Sequence, residues 1–574
     1  PEGRALRRSA DGIWRGRVVE AERGQAYRFL VTTGRGNTVV KADPFAVRRR
    51  APESADSILW DLDFRWRDGR WMRSRKRLQG PGRPMSVYEV HLGSWRRGPD
   101  GGYLGYRETG RRLAEYCTGM GFTHVELLPV AEHPFYGSWG YQGTGFFAPT
   151  ARYGSPQDLM GLIDSLHRAG IGVILDWVPS HFATDPWGLG RFDGYPLFEH
   201  RDTRRGFHPD WSSWVFDYDR PEVRSFLLSN ARYWIERFHA DGLRVDAVAS
   251  MLYLDFSRAP GRWIPNAHGG RENINAYAFL RSVNDMVRSE FPGVVTIAEE
   301  SSAWPGVTGP TYLGGVGFGL KWDMGWMHDT LEYFKRGPLH RSHHHHDLTF
   351  RMMYAFSERF MLALSHDEVV HMKASLIGKM PGSDDPERFA NLRLLYAYMW
   401  TLPGKQTLFM GGEIAQRGEW DHDREVEWGL LKWQPHRAMQ RWVRDLNRLA
   451  AAEPALHGRD DDPGGFQWID PEDRDRSVLS YLRWGPPGSR PVLVLINLSG
   501  RRYRRYRVGV PVGGRWQTLL TSDRATYGGE ERTPGRLSAE PRKSHGHLQS
   551  LVVDLPPLTA VIAAPVESRS KARR

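Results

Sequence analysis

A single cysteine in 574 residues rules out an internal disulfide framework and fits a reducing compartment, so a cytoplasmic location is expected. That residue, Cys117, follows Leu113 by one helical turn and reads as a small buried hydrophobe rather than a nucleophile. No run approaches the roughly eighteen consecutive apolar residues of a membrane helix, so no membrane partner is expected. The first ten residues are Arg-rich without an apolar segment, so no signal peptide is visible there; with no initiator Met, a processed N-terminus or one cut from a longer chain is expected. Acidic residues are outnumbered 79 to 67, for a net charge of +12, yet no nucleic-acid motif accompanies the excess. The densest basic run, Arg501 to Arg507, lies in a β-rich stretch and is read as a solvated face, with no nucleic-acid partner.

The chain is too long for one core, and its patterning divides it into three zones. Residues 1–78 carry short alternating runs such as Ile13–Val18 and Tyr27–Val31 between Gly-rich turns, the pattern of a small β-sandwich. After the Gly80–Pro84 linker, residues 79–454 alternate strands with helices. Eight short apolar strands are predicted: Ser86–His91, Thr123–Leu128, Gly172–Asp176, Gly242–Asp246, Val294–Glu299, Phe318–Trp322, Phe360–Leu364 and Thr407–Met410. Between them, Ser155-Pro156 supplies an N-cap and a first-turn proline ahead of Leu159, Leu162, Ile163 and Leu166, and Pro221 opens a second run at helical spacing. Eight parallel-type strands separated by helices predict a closed (β/α)₈ barrel. Residues 455–574 again read as strands, an antiparallel β domain ending in a basic tail expected to be disordered. The fold class is therefore multidomain α/β, with a central barrel flanked by two β modules.

In such a barrel the site lies at the C-terminal ends of the strands, and four of the predicted strands end in carboxylates. The third ends at Asp176, with His181 beyond it; the fourth reads Leu243-Arg244-Val245-Asp246; the fifth ends in Glu299-Glu300; the seventh runs into His366-Asp367-Glu368. The competing reading is that these carboxylates form salt bridges closing the barrel end; one pair would leave the choice open, but unpaired buried charge is costly, and the whole set argues for chemistry. Arg244 and Asp246, two apart on a strand, share a face, so the arginine favours an ionised neighbour. A second carboxyl in a more apolar setting could serve as acid and then base, and a pair about 5–5.5 Å apart is what retaining glycoside chemistry requires. Strand alternation alone leaves Glu299 and Glu300 both open.

These four segments resemble the signature regions of the α-amylase superfamily of glycoside hydrolases and transglycosidases. Longer stretches resemble its branching enzymes: Tyr88–Trp95, Arg244–Met251, Ala298–Ser301, His366–His371, and Trp263–Asn266 leading to Gly269–Asn273. The resemblance implies a glycogen-branching activity on α-1,4-glucan and glycogen, with Asp246 as nucleophile, Glu299 as general acid/base and Asp367 as the third carboxylate. It implies that Arg244 holds Asp246 charged, that Asp176, His181 and His366 contact the sugar in the cleavage subsite, and that Tyr141 offers it an aromatic face. It implies no metal and no organic cofactor, and a monomer is expected. Residues 1–78 resemble a glycogen-binding module whose start is missing. Three positions depart from the family pattern: Gly143 stands where Pro is usual, Met372 where Gly is common, and Gly412 where Asn is usual. A hydrolase of the same superfamily, debranching or trehalose-releasing, would share every catalytic residue and is the competing reading.

Other features are set aside. His343–His346 is read as a surface loop or helix start rather than a metal site. Trp139, Trp304 and Trp420 are candidates for sugar stacking or for packing at the barrel rim. Glu419–Asp423 is read as a loop that shapes the site.

Overall fold

The computed structural model describes residues 3–566; the basic tail expected to be disordered lies outside the described residues. Its centre is a closed barrel of eight parallel strands: β1 (Ser86–Val90), β2 (His124–Leu127), β3 (Gly172–Trp177), β4 (Gly242–Val245), β5 (Val295–Ala298), β6 (Leu320–Trp322), β7 (Phe360–Leu364) and β8 (Lys405–Phe409). Each pairs with its sequence neighbour, and β8 closes on β1 through Gln406–Phe409 against Ser86–Glu89. All eight expected strands are present, and those expected to end at His91, Asp246 and Glu299 stop one residue short of these polar ends. Those polar residues leave the ladder to enter the loops.

The strands are buried on both faces. Met85, Val87, Ile174, Ile297, Leu320, Trp322, Met361 and Ala363 fill the lumen. A larger core packs the outer faces against helices that include α2 (Tyr106–Met120), α3 (Pro156–Arg168) and α4 (Pro221–Arg237). The start of α3 forms as its sequence dictates. Ser155 caps the backbone of Asp158, Asp158 caps Ser155 in return, and Pro156 occupies the first turn, where a missing N–H costs nothing. Cys117 lies on α2, fully buried, and burial raises its thiol far out of the reactive range.

The front of the chain is β-rich, built from three two-stranded antiparallel ribbons: Arg7–Arg8 with Trp14–Arg15, Ala26–Tyr27 with Ser57–Ile58, and Phe29–Thr32 with Thr38–Lys41. Lys41 ties it to the barrel by donating to the carbonyls of Pro186, Gly188 and Gly190 at 2.7, 3.1 and 2.7 Å. Within the same zone the structure adds a helix, α1 (Gly69–Leu78), absent from the sequence reading. Its indole Trp71 donates to Asp241, just ahead of β4, at 2.8 Å, so α1 packs at the N-terminal end of the strands, away from the loops that carry the acids.

Behind the barrel stands the C-terminal β domain. A six-stranded antiparallel sheet includes Val478–Arg483, Val492–Asn497, Gly514–Thr521 and Thr559–Pro565, and Tyr503–Val510 pairs separately with Gln549–Leu555. The basic run lies on Tyr503–Val510. Tyr506 points inward, while Arg502 and Arg507 meet Asp554 and Glu540 at the surface, the solvated face expected of it.

Candidate active site

The site is assembled at the C-terminal ends of neighbouring strands. Register places Asp176 of β3 beside Arg244 of β4, and Val245 beside Ala298 of β5. The ladder runs one step further through Asp246 N–H to the Trp177 carbonyl (3.0 Å) and Glu299 N–H to the Val245 carbonyl (3.1 Å). Asp246 and Glu299 therefore leave adjacent strands at the same level.

Arg244 organises them. Its Nη1 donates to Asp176 Oδ1 and Oδ2, both at 2.8 Å, and to Asp246 Oδ1 at 2.9 Å; its Nη2 meets Glu299 Oε2 at 3.0 Å. The guanidinium lies 4.4 Å over the Trp322 ring and is completely buried. Tyr141 donates to Asp176 at 2.5 Å, and its ring stacks on His366 at 5.6 Å. Beyond β7, His366 is held through Nδ1 by Glu89 Oε1 at 2.6 Å, while its Nε2 faces Asp367 Oδ1 at 3.5 Å. His181 lies buried beside Trp211, with its ring nitrogen on Ser180 at 2.8 Å.

Exposure sorts the acids. The Asp246, Glu299 and Asp367 side chains keep 11%, 18% and 39% of their surface open, whereas Asp176 keeps none. Direct contact between Asp176 and a sugar, as the resemblance implies, is not offered by this geometry. Its oxygens are spent on Arg244 and Tyr141. The two adjacent glutamates also part company: Glu300 is fully buried on Lys321 Nζ at 2.6 Å, and Glu299 faces the cleft. Alternation on the strand, which left them equivalent in sequence, sends them to opposite sides.

The electrostatics are those of too many acids around one cation. Burial pushes Asp246 well above the ordinary aspartate range; Arg244 opposes this, but Glu299, Asp176 and Asp367 reinforce it. Arg244 acts on Asp246 in the direction expected of it, toward the ionised form, against burial and the neighbouring acids. Glu299 is raised by the same burial and by Asp367, against Arg244. Both carboxyls are pushed toward holding a proton, and acid–base work between them needs one ionised and one protonated member. An N–H from Ala247, whose backbone sits in the left-handed region at φ 51°, bonds Glu299 Oε2 at 2.7 Å and fixes its orientation. Burial would raise Asp367 too, but His366, Arg244, Lys373 and His371 together hold it lower. Burial pulls His366 down, yet Asp367 and Glu89 lift it to about 9. Burial takes His181 down to about 3, and the neighbouring His208 adds to the fall.

Sequence reasoning missed Glu89, Trp322 and Glu126 as parts of the site. Glu89 and Glu126 are register partners on β1 and β2, and a carboxylate inside a strand buried on both faces was the available signal. Among the described residues, neither oxygen of Glu126 has a hydrogen-bond partner, and burial with Glu89 and Asp176 nearby pushes its carboxyl strongly upward. Trp139 packs 4.7 Å from Trp420, which is buried, while Trp304 lies 5.3 Å from Tyr253. Of the departures from the family pattern, a Cβ at Gly143 would make ordinary contact with Phe146 at 3.8 Å, and one at Gly412 would meet Leu408 at 2.9 Å; Met372 is almost wholly exposed. The histidine run begins a short helix, His345–Thr349, with His345 turned inward.

Comparison with known proteins bears on the same regions. A family model of the alpha amylase catalytic domain matches residues 211–475, and one of the alpha amylase C-terminal all-beta domain matches residues 468–566. The chain is 53% identical to the 1,4-alpha-glucan branching enzyme GlgB of Albidiferax ferrireducens, over 97% of this chain and 89% of that protein. It is equally similar, at 53%, to the protein of that name from Aquifex aeolicus, over 97% and 88% of the two chains. Among solved structures, the alpha-amylase from Geobacillus thermoleovorans complexed with acarbose superposes with a TM-score of 0.61 at 17% identity, covering 84% of this chain and 98% of that one. The pullulanase from Bacillus acidopullulyticus gives 0.70 at 16% identity, covering 97% and 70%. At such identities these two speak to the fold alone.

Proposed function

The chain belongs to the 1,4-alpha-glucan branching enzymes of the alpha-amylase family, and from that premise we propose how it works: it cuts an α-1,4-glucan and rejoins the piece through an α-1,6 bond, as in glycogen synthesis. The observation that carries the mechanism is the meeting of Asp246 and Glu299 on one guanidinium at the open end of the barrel.

In this reading Glu299, protonated, gives its proton to the leaving glycosidic oxygen while Asp246 attacks the anomeric carbon. The donor chain is then esterified to Asp246 and Glu299 is ionised. A 6-hydroxyl of an acceptor glucan enters, Glu299 takes its proton, and the new bond forms as the ester breaks. Two inversions leave the α configuration unchanged. Asp367 binds sugar hydroxyls from the opposite wall, and Tyr141 gives the ring an aromatic face. Asp176 orients Arg244 and Tyr141; His181 and His366 line the same subsite from below its surface. Arg244 lowers the cost of the charge that returns to Asp246 when the ester is broken. The carboxylates and the acceptor account for every proton, and the reading uses no metal or organic cofactor.

The division of the chain follows: residues 1–78 as a glucan-contacting β module, 79–454 as the catalytic barrel, and 455–574 as the β domain supporting it. A monomer in the cytoplasm is part of the same proposal; among the described residues no helix is long and apolar enough to cross a membrane.

The test is amylose, with iodine colour and reducing ends followed together. Loss of colour without matching release of reducing ends is the expected result, and Asp246→Ala abolishes it while glycogen binding persists. Stoichiometric release of reducing ends would make the chain a hydrolase.

A further inference from the structure

Four residues beyond Asp367 the backbone enters an unfavourable conformation, which it adopts at three of the four residues 371–374. His371, Met372 and Ala374 all have positive φ, at 58°, 63° and 64°. A side chain is strained in that region, so a run of such residues persists only where its surroundings over-determine it. Burial does not supply the restraint, because Met372 is 96% exposed.

Two side chains from outside the segment do. Glu419, in the loop after β8, accepts the N–H of Met372 at 3.0 Å with one oxygen and that of Ala374 at 2.6 Å with the other. Lys379, closing the short helix Leu376–Lys379, donates to the carbonyls of Glu368 at 2.6 Å, Ala374 at 2.7 Å and Lys373. Three ammonium hydrogens thus meet three carbonyls of one segment, and a carboxylate grips two of its amides. Lys379 is buried, and burial lowers its amine to about 8, with Glu368 and Glu419 opposing the fall and Lys335 and Lys373 adding to it.

The segment borders the reacting groups. His371 stacks on Trp139 at 5.3 Å and 28°, and Trp139 stands edge-on to His366 at 5.7 Å. The Val369 carbonyl accepts from Trp420 N–H at 2.8 Å. Where glycine would adopt the same turn without strain, this chain has Met372.

We propose that Lys379 and Glu419 are positioning residues that clamp residues 368–374 into a rigid rim of the glucan cleft, keeping Asp367 and the His371–Trp139 pair in place against Asp246 and Glu299. The inference rests on the reading that this cleft binds the donor glucan.

The test uses the full chain and Glu419→Ala, comparing hydrogen exchange at the Met372 and Ala374 amides, the melting temperature, and the rate of branching on amylose. We expect faster exchange confined to this segment, a melting temperature nearly unchanged, and a branching rate lower by about tenfold or more, as displaced catalytic groups produce. Adding Met372→Gly and Ala374→Gly to Glu419→Ala restores much of the rate, because glycine takes positive φ without steric cost. Lys379→Met repeats the loss from the other side of the clamp. Unchanged exchange in Glu419→Ala, unchanged branching despite faster exchange, or a folded triple variant no faster than Glu419→Ala would each overturn the proposal. A wild-type chain unable to branch amylose would count against the functional reading instead, and the exchange at the two amides would then decide the clamp alone.

Discussion

Arg244 binds Asp176, Asp246 and Glu299 with one positive charge, so the local balance is acidic before any substrate arrives. Its presence two residues before Asp246 was legible because strand alternation puts both on one face; Asp176 and Glu299 were legible as acids at strand ends. The strength of the mutual repulsion was not, since it depends on three strands whose register no local pattern reveals. Glu89 shows the same limit. Its carboxylate stood in the open sequence, but only barrel closure, bringing β8 and β7 round to β1, sets it against His366. The folded His366 value of about 9 lies above the ordinary 6.5, so the charged pair stabilises the fold below the lower value and ceases to do so as pH rises through the higher one. Replacing Glu89 with Gln removes one of the two acids that lift it. The His366 imidazole should then titrate lower by about one unit or more, read from its ring proton by NMR. Titration unchanged near 9 would mean that Asp367 alone sustains the shift.

Elements with strong punctuation were the most readable. α3 carries its capping residues in sequence, and the eight barrel strands are apolar runs of the right length. α1 was not readable, because half of its residues, Gly69 to Leu78, are basic and only Trp71 and Met72 in its first turns suggest a buried face. Its place is fixed instead by polar contacts at the N-terminal end of the barrel. There His167 at the end of α3 lies between Asp68 at 2.9 Å and Asp241 at 2.8 Å, with His239 on the other side of Asp68 at 2.7 Å. Burial lowers His167, but Asp241 and Asp68 more than offset this and raise it to about 9. Its charged form therefore stabilises the fold fully below pH 6.5, and that contribution disappears as pH rises through about 9. The melting temperature should fall across that window. His167→Ala should cost roughly 2–3 kcal/mol at neutral pH, because it removes the charged partner that two buried carboxylates share and leaves Asp68 to His239 and Asp241 to Trp71 and Arg75. A flat melting temperature between pH 6 and 10, or a variant as stable as the parent in urea, would show that the network adds nothing.

The whole molecule separates its tasks along the barrel axis. The reacting acids occupy one end, a satisfied His–Asp network and α1 occupy the other, and the C-terminal sheet packs against the outer helices. Fold class was legible because periodicity changes twice along the chain, from alternating to strand–helix and back. The front region was legible only as β-rich: its ribbons are two to four residues long, too short for any pattern to fix their pairing. Two arginines of the densest basic run stand in surface pairs, Arg502 with Asp554 and Arg507 with Glu540, which takes them out of the net charge of +12.

The reaction scheme stands or falls on the covalent bond to Asp246. Slowing the second half-reaction with Glu299→Gln, supplying a maltosyl fluoride whose leaving group needs no acid, quenching in acid and mapping the adduct by mass spectrometry would read that bond directly. Sugar mass is predicted on the peptide Val245–Arg258, at Asp246. An adduct on Asp367 or Asp176, or turnover of the fluoride with no labelled carboxylate at all, would contradict it.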